Sequence, residues 1–300
     1  MSVILQSEIE KVIDALCPGD GTYPTPVPGI YCLKFSEPEK PAKRRWRASL
    51  GLVLQGSKKI VLGREVYRLE ANHYTATPLA LPVISNVISA SPRKPFLALL
   101  IDLNPALLAE ISSQLNGELS KVRSKALRAV FVGKASQAML EAVARLVTLF
   151  QKPEDAPILG PLVIKEVLYH LMKGSEGAAI RQFARSGSKM HKIAHAIHAL
   201  SSDLSKEIDL ATLAKAAAMS RSSFFKQFKE LTAMSPIQYQ KRLRLHEARR
   251  LMIEEGETAE NAAFRVGYNS ASQFSREYSR MFGDSPLRET AKIKGPNAFS

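Results

Sequence analysis

The sequence predicts an α+β protein of two domains: a β sandwich or barrel with flanking helices, followed by an all-α domain built on a duplicated helical unit. Three observations predict it. Residues 20–104 break into short apolar or alternating runs separated by turn residues. Beyond about residue 188 the apolar positions keep helical spacing throughout. A segment of that second half, SRSSFFKQFKELTAMSP from Ser220, recurs fifty residues later as SASQFSREYSRMFGDSP from Ser270.

The β runs are GIYCLKF, ASLGLVLQ, KKIVLG, VYRLEA, LALPVISNVIS and PFLALLIDL, with Gly, Pro, Asn and Lys-rich turns between them. Helical spacing takes over in residues 105–174, in PALLAEISSQL, SQAMLEAVARLVTLF and LGPLVIKEVLYHLM. Met139, Val143, Leu146, Val147 and Phe150 form one stripe there, suited to packing on the sheet or to a dimer seam. Gly and Ser surround a short helical core in GSEGAAIRQFARSGS, residues 174–188, which marks the joint. The division is therefore 1–180 and 181–300. After it come KMHKIAHAIHALSSD, DLATLAKAAA, the first repeat helix, the long PIQYQKRLRLHEARRLMIEE, TAENAAFRV, the second repeat helix and a short helix after Pro286.

Composition narrows the class. An apolar share of 45% is ample for two cores, and no apolar run approaches the ~20 residues that cross a bilayer. The N-terminal stretch mixes acids into a stripe of Ile9, Val12, Ile13 and Leu16, unlike a secretory signal. Cys17 and Cys32 are too few for a disulfide scaffold and lack metal-ligand spacing, as expected of reduced thiols in the cytoplasm. The net charge of +14 favours a polyanionic partner. That excess is +8 over residues 1–187 and +6 over 188–300, so charge alone does not select the half that meets the partner.

The repeat does. In each copy a short helix precedes the repeat helix across a tight turn, giving helix-turn-helix units at about 209–232 and 259–283. Leu213, Ala214 and Ala217 lead to Ala218–Met219; Ala262, Ala263 and Val266 lead to Gly267–Tyr268. Gly267 suits a left-handed turn and Ala218 does so less well. Ser220 and Ser270 stand at N-cap positions. Phe224, Phe228 and Leu231 follow i, i+4, i+7, as do Phe274, Tyr278 and Met281, and should pack inward. This leaves Arg221, Ser222, Phe225, Lys226 and Lys229 outward on the first helix. On the second it leaves Ala271, Ser272, Ser275, Arg276 and Ser279 outward, with Gln273 on the flank. Two copies of one amphipathic helix suit a repeating polyanion, duplex DNA, whose base edges are met by the N-terminal end of such a helix. Gln can bond adenine and Arg guanine in two places each, while Phe225 could meet a thymine methyl.

Between the copies, Lys241, Arg242, Arg244, Arg249 and Arg250 crowd one helix. A helix over 236–255 would span roughly 30 Å, close to the ~34 Å between successive major-groove faces. Lys241, Arg242, Arg244 and Arg249 are the candidate phosphate contacts, with some cations pairing instead with Glu247 or Glu254.

At these residues the chain resembles the AraC/XylS family of bacterial transcription regulators. GYNSASQFSREYSRMFGDSP matches that family's second-unit signature, and the likeness covers about residues 190–290. LVLQGSKKIVLG, the YRLEANHY run and LPVISNVISASPRKPFLAL also resemble the sensor half of one AraC subfamily. The resemblance implies a cupin-like β-barrel sensor, a helical dimerisation segment and a DNA-reading C-terminus. It places family base-contact positions on Ser222, Phe225 and Lys226, and on Ala271, Ser272, Gln273 and Arg276. It further implies a homodimer formed through the N-terminal domain and RNA polymerase as a partner. The implied protein is an activator, cytoplasmic and nucleoid-associated. One departure is LRETAK after Pro286, where the family often has a Tyr-Arg pair.

A cupin-like metal enzyme with an appended DNA-binding domain is the alternative. The β region offers only His73 as an imidazole ligand, too little for a catalytic metal with an open position. No nucleophile elbow, phosphate-binding glycine loop or paired-carboxylate motif is present, so no catalytic residue, metal or cofactor is expected. The barrel is then a small-molecule effector cavity or the vestige of one. Cys32, between Tyr31 and Leu33 on a strand pattern, is the candidate effector residue, provided Lys34 or a nearby Arg lowers its thiol pKa.

Overall fold

A computed structural model describes residues 3–115, 128–185 and 187–294. Residues 116–127 of the expected helical stretch, Ser186 of the expected joint and the extreme ends lie outside the described residues.

Among the described residues, ten strands form two antiparallel sheets. The larger joins β1 (Gly21–Pro24), β2 (Ile30–Phe35), β9 (Phe96–Asp102), β4 (Ser49–Gln55), β7 (His73–Thr77) and β10 (Phe131–Lys134), in that order. The smaller joins β3 (Ala42–Trp46), β8 (Leu81–Ser89), β5 (Ser57–Leu62) and β6 (Glu65–Glu70). Central β9 is buried on consecutive residues from Phe96 to Leu99, because both of its faces are covered. Helix α1 (Val3–Leu16) lays Ile9 and Ile13 on β2, β4 and β9, with Cys17 just beyond its end on the same line.

Four strands fall outside the β runs read from the sequence: β1, β3, β7 and β10. The AKRRW of β3 carries three cations in five residues and reads as a loop, yet it pairs with β8 as an edge strand. Similarly, β10 lies within the stretch expected to be helical; it returns to the sheet edge beside β7 after α2 (Pro105–Gln114).

Helix α3 (Gln137–Thr148) buries Met139, Val143, Leu146 and Val147, and Phe150 follows in a short 3-10 turn. That stripe packs within the chain, against α1 and α4 (Ala156–Lys173), and so is not a dimer seam. The expected joint holds α5 (Gly177–Ala184), followed by α6 (Lys189–Ser202). Then come α7 (Leu210–Ala216), α8 (Arg221–Thr232), α9 (Pro236–Glu254), α10 (Ala259–Arg265), α11 (Ala271–Phe282) and α12 (Pro286–Lys294). The departure after Pro286 still leaves a helix there.

The apolar core is divided in an informative place. One cluster runs from Ile9 through the sheets and on to Phe224, Phe228, Leu231 and Leu243. A second holds Leu245, Leu251, Ala262, Ala263, Val266, Phe274 and Tyr278. The break falls within α9, so the first helical unit shares a core with the β domain while the second has its own.

Candidate nucleic-acid interface

The two units repeat in detail. Helices α8 and α11 both run twelve residues at an offset of fifty, and α7 and α10 both run seven at an offset of forty-nine. Ser220 accepts from the Ser223 amide and Ser270 from the Gln273 amide, each satisfying a free N–H of the first turn. Ala218 (φ 52°) and Gly267 (φ 91°) turn the chain in the left-handed region. At Gly267 a side chain is excluded by contact as well as by φ. A Cβ there would lie 2.5 Å from the Ser205 carbonyl oxygen and 2.8 Å from Arg244 Nη2.

Aromatic packing sets the inward faces. In the first unit Phe224 and Phe228 are buried with ring centroids 5.6 Å apart, and Phe228 meets Tyr239 edge-on at 5.3 Å. In the second, Phe274 meets Tyr278 at 5.4 Å and Tyr278 meets Phe282 at 4.6 Å. Leu231 is buried, and Met281 is half-buried.

The opposite faces are open to solvent. Arg221, Ser222, Phe225, Lys226 and Lys229 are all exposed on α8, with 43% of Phe225 accessible. An aromatic ring that open on a polar helix face contributes nothing to the core. On α11, Ser272, Gln273 and Arg276 are exposed and Ala271 is half-buried. Ser275 and Ser279, expected outward, are half-buried, and the Ser279 hydroxyl donates to the Ser275 carbonyl at 2.8 Å. Lys226, Lys229 and Arg276 form no ion pair among the described residues.

Glu277 was not singled out in the sequence, although it stands four residues after Gln273 on the same helix. Its carboxylate accepts from Lys241 Nζ (2.7 Å), Gln273 Nε2 (3.2 Å) and the Tyr268 hydroxyl (3.0 Å). Burial disfavours that charge, but the bonds from Lys241, Gln273 and Tyr268 outweigh it and hold the pKa below the usual carboxylate range. Glu277 thus orients Gln273 and ties the connecting helix to the second head.

The cations of α9 serve different ends. Lys241 is exposed though paired. Arg242 is half-buried, and desolvation lowers its pKa. Arg244, expected to meet a phosphate, is engaged within the chain. Its guanidinium donates to the carbonyls of Leu204 (2.7 Å), Gly267 (2.9 Å), Ser205 (3.2 Å) and Lys206 (3.0 Å), knitting the second turn to the loop after α6. Arg249 is also engaged: it pairs with Glu289 at 2.9 Å and lies 5.2 Å over the Phe282 ring. Arg250 is held by Glu247, Glu254 and Glu255.

The other face of α9 meets β3 and β8. The Tyr239 hydroxyl donates to the Ala80 carbonyl. Arg45 pairs with Glu247 at 2.9 Å, and Lys43 Nζ donates to the Met281 carbonyl at 2.6 Å, near the C-terminal end of α11. His246 is buried at this seam with Nε2 unbonded. Burial first, then the nearby charges of Arg249, Arg45, Arg242 and Lys43, push its pKa down to about 3.

Cys32 does not meet the condition set for it. It is fully buried, and the hydrogen bond with the free thiol of Cys17, together with burial, pushes its pKa up. Lys34, expected to activate it, pairs instead with Asp14 at 2.6 Å and donates to the Cys17 carbonyl at 3.3 Å. His73 Nδ1 contacts the Glu70 carbonyl at 3.2 Å. Among the described residues, no three His, Cys, Asp or Glu side chains gather as a metal site requires. No helix is long and apolar enough to cross a membrane, among the same residues.

Residues 26–179 match the family model described as AraC-type transcriptional regulator N-terminus, and residues 213–291 match one described as helix-turn-helix domain. Among curated proteins, the chain is 24% identical over 154 residues to the HTH-type transcriptional regulator ArgR of Pseudomonas aeruginosa, covering 51% of this chain and 47% of that one. It is 35% identical over 85 residues to the probable transcriptional regulator LumQ of Photobacterium leiognathi, covering 28% and 34%. It is 24% identical over 155 residues to the transcriptional activator RhaS of an Enterobacter species, covering 51% and 55%. The match spans about half the length of these relatives or less. Among solved structures, unsaturated fatty acid bound ToxT of Vibrio cholerae has the same fold, with a TM-score of 0.57 at 14% identity over 91% of this chain and 96% of that one. ToxT bound to (E)-4-(8-methylnaphthalen-1-yl)but-3-enoic acid gives 0.58 at 13% identity over 88% and 98%.

Proposed function

This chain belongs to the AraC-type transcriptional regulators, and we propose that it reads two neighbouring major-groove segments with α8 and α11, one per turn of the duplex. The exposed row Arg221, Ser222, Phe225, Lys226 and Lys229, repeated fifty residues on as Ser272, Gln273 and Arg276, carries this reading. Ala271 flanks the second row. The nineteen residues of α9 separate the heads by roughly 28 Å of helix axis. Lys241 and Arg242 are the α9 cations left for phosphates, with Lys241 released from Glu277 on binding.

The division into a sensor half, 1–180, and a reading half, 181–300, belongs to the same proposal. So does modulation by a small-molecule effector. It is supported by the ligand-bound forms in which ToxT is known and by the grip of β3 on α9 and α11. Homodimerisation falls to the sensor half. Helix α4 leaves Ile158, Leu159, Leu162 and Tyr169 exposed, with Ile158 73% accessible. RNA polymerase would be the protein partner of a DNA-bound activator, acting on the nucleoid in the cytoplasm.

Selection of bound fragments from genomic DNA tests the reading. Arg276→Ala should then cost about 1–3 kcal/mol and relax one base position, while Lys229→Ala should weaken all sequences alike and lower the salt slope. Unchanged affinity and preference in Arg276→Ala would overturn the assigned face.

A further inference from the structure

We propose that Lys58, Arg44 and Ser85 form an anion-binding site inside the β domain, suited to the carboxylate or phosphate group of a small organic effector. The proposal rests on reading the β domain as the effector-responsive half.

Strand register sets the three side chains on one face, with Lys58 across from Val87 and Arg44 across from Val83, two residues to either side of Ser85. Ile60 of β5 is paired with Ser85 of β8, and Ser85 with Ala42 of β3. Lys58 is two residues from Ile60 and Arg44 two residues from Ala42, so all three candidates project from one face of adjacent strands. That face is the interior: Ile60, Leu62, Val83 and Val87 share it and are buried.

Interior polar groups are ordinarily paired, and several atoms of this group are not. Ser85 Oγ and Arg44 Nε are buried without a hydrogen-bond partner. The Lys58 ammonium has neither an acceptor nor a carboxylate partner among the described residues. Its neighbours are the ring faces of Trp46, 5.4 Å away, and Phe96, 5.9 Å away. Glu39 stands nearby, but its carboxylate is engaged by Arg44 Nη2 and accepts from the Val87 amide at 3.4 Å. Two cations against one carboxylate leave a net positive charge, with the Lys58 ammonium, Arg44 Nε and the Ser85 hydroxyl unfilled. An oxyanion supplies what all three lack. Burial, then repulsion from Arg44, lowers the Lys58 pKa to about 8, with Glu39 opposing. A bound anion would relieve that pressure. The aromatic rings offer a wall for the apolar body of the ligand. Arg44 also lies on β3 between Lys43 and Arg45, whose side chains leave the opposite face of the strand to hold α11 and α9.

Trp46 is the chain's single tryptophan, so its fluorescence reports on this site in the full-length protein. Benzoate, phenyl phosphate and the uncharged benzamide are titrated at constant ionic strength. At least one anion should give a saturable change about tenfold tighter than benzamide, and the tighter anion identifies the head group. Lys58→Met should weaken that binding about tenfold or more while keeping a cooperative melt, and Lys58→Arg should restore part of it. Should Lys58→Met fail to fold, Ser85→Ala takes its place, with a loss of about threefold expected. No saturable change with either anion, an equal response to benzamide, or unweakened binding in the folded variant would overturn the site. The titration contains no DNA, so its failure leaves the reading of α8 and α11 standing, and a failure of DNA binding leaves the titration interpretable.

Discussion

The two helix-turn-helix units have matching faces, caps and lengths, yet each is held differently. The first is held by apolar packing: Phe224, Phe228 and Leu231 belong to the core that begins at Ile9, and Ala233 sits against Gly63 of the β5–β6 turn. The second has its own small core and is held to the rest by polar contacts. Arg244 ties it to the loop after α6, and Lys43 and Arg45 tie it to the β domain. The backbone follows the same division. At the two left-handed positions the second unit has Gly267 and Gly283, while the first has Ala218 and Ala233. An L-residue there costs roughly 1–2 kcal/mol, which the shared core of the first unit can offset. A unit with a small core of its own has less to spare, and its sequence keeps glycine at both places.

The sharpest way to break this comparison is Gly267→Ala, which gives the second unit the residue that the first already carries at Ala218. Left-handed strain and a Cβ 2.5 Å from the Ser205 carbonyl oxygen should together cost about 2–4 kcal/mol. Denaturant titration would show the loss, and footprinting should lose the half-site of α11 before that of α8. A variant as stable as the parent would mean that the two turns are equivalent after all.

Acid should act next, at the seam around His246. Unfolded, this imidazole takes a proton near 6.5; folded, it stays neutral down to about 3. Between those values the unfolded chain binds the extra proton, so stability falls as pH drops through that window, by up to a few kcal/mol. His246→Leu should flatten the fall between pH 7 and 4.5. An identical acid limb in the two proteins would show that His246 and its ring of cations do not govern it.

The smallest effect runs the other way. Ala218→Gly relieves the left-handed turn at an exposed position and should stabilise the protein by about 0.5–1 kcal/mol, after the entropic cost of glycine. Thermal melts resolve a change of that size, and destabilisation would argue that Ala218 packs in a way its exposure does not suggest.

Much of the reading half was legible because its signals are local. An N-cap serine, aromatics at i and i+4 and a glycine in a left-handed turn depend on few neighbours, and duplication shows the pattern twice. Exposure of Arg221, Phe225, Gln273 and Arg276 followed from periodicity alone. The roles of the α9 cations did not, because Arg244 and Arg249 look alike in sequence. One reaches carbonyls of residues 204–206 and 267, while the other reaches Glu289. Strand β3 was hidden for a related reason. Its cations alternate between the domain interior and the neighbouring helices, so no polar-out, apolar-in pattern marks it.

By itself, the sequence determined the order of the helices in the second half, the inward faces of both heads and the pairing of two copies, since those depend on a period of 3.6 residues and on caps. Only the tertiary structure decided which core each copy joins, which arginines are engaged within the chain, and that the Lys58 ammonium and Arg44 Nε are left without partners among the described residues. These are outcomes of contacts between residues tens to hundreds of positions apart, and which charge meets which carbonyl is set by packing rather than by spacing.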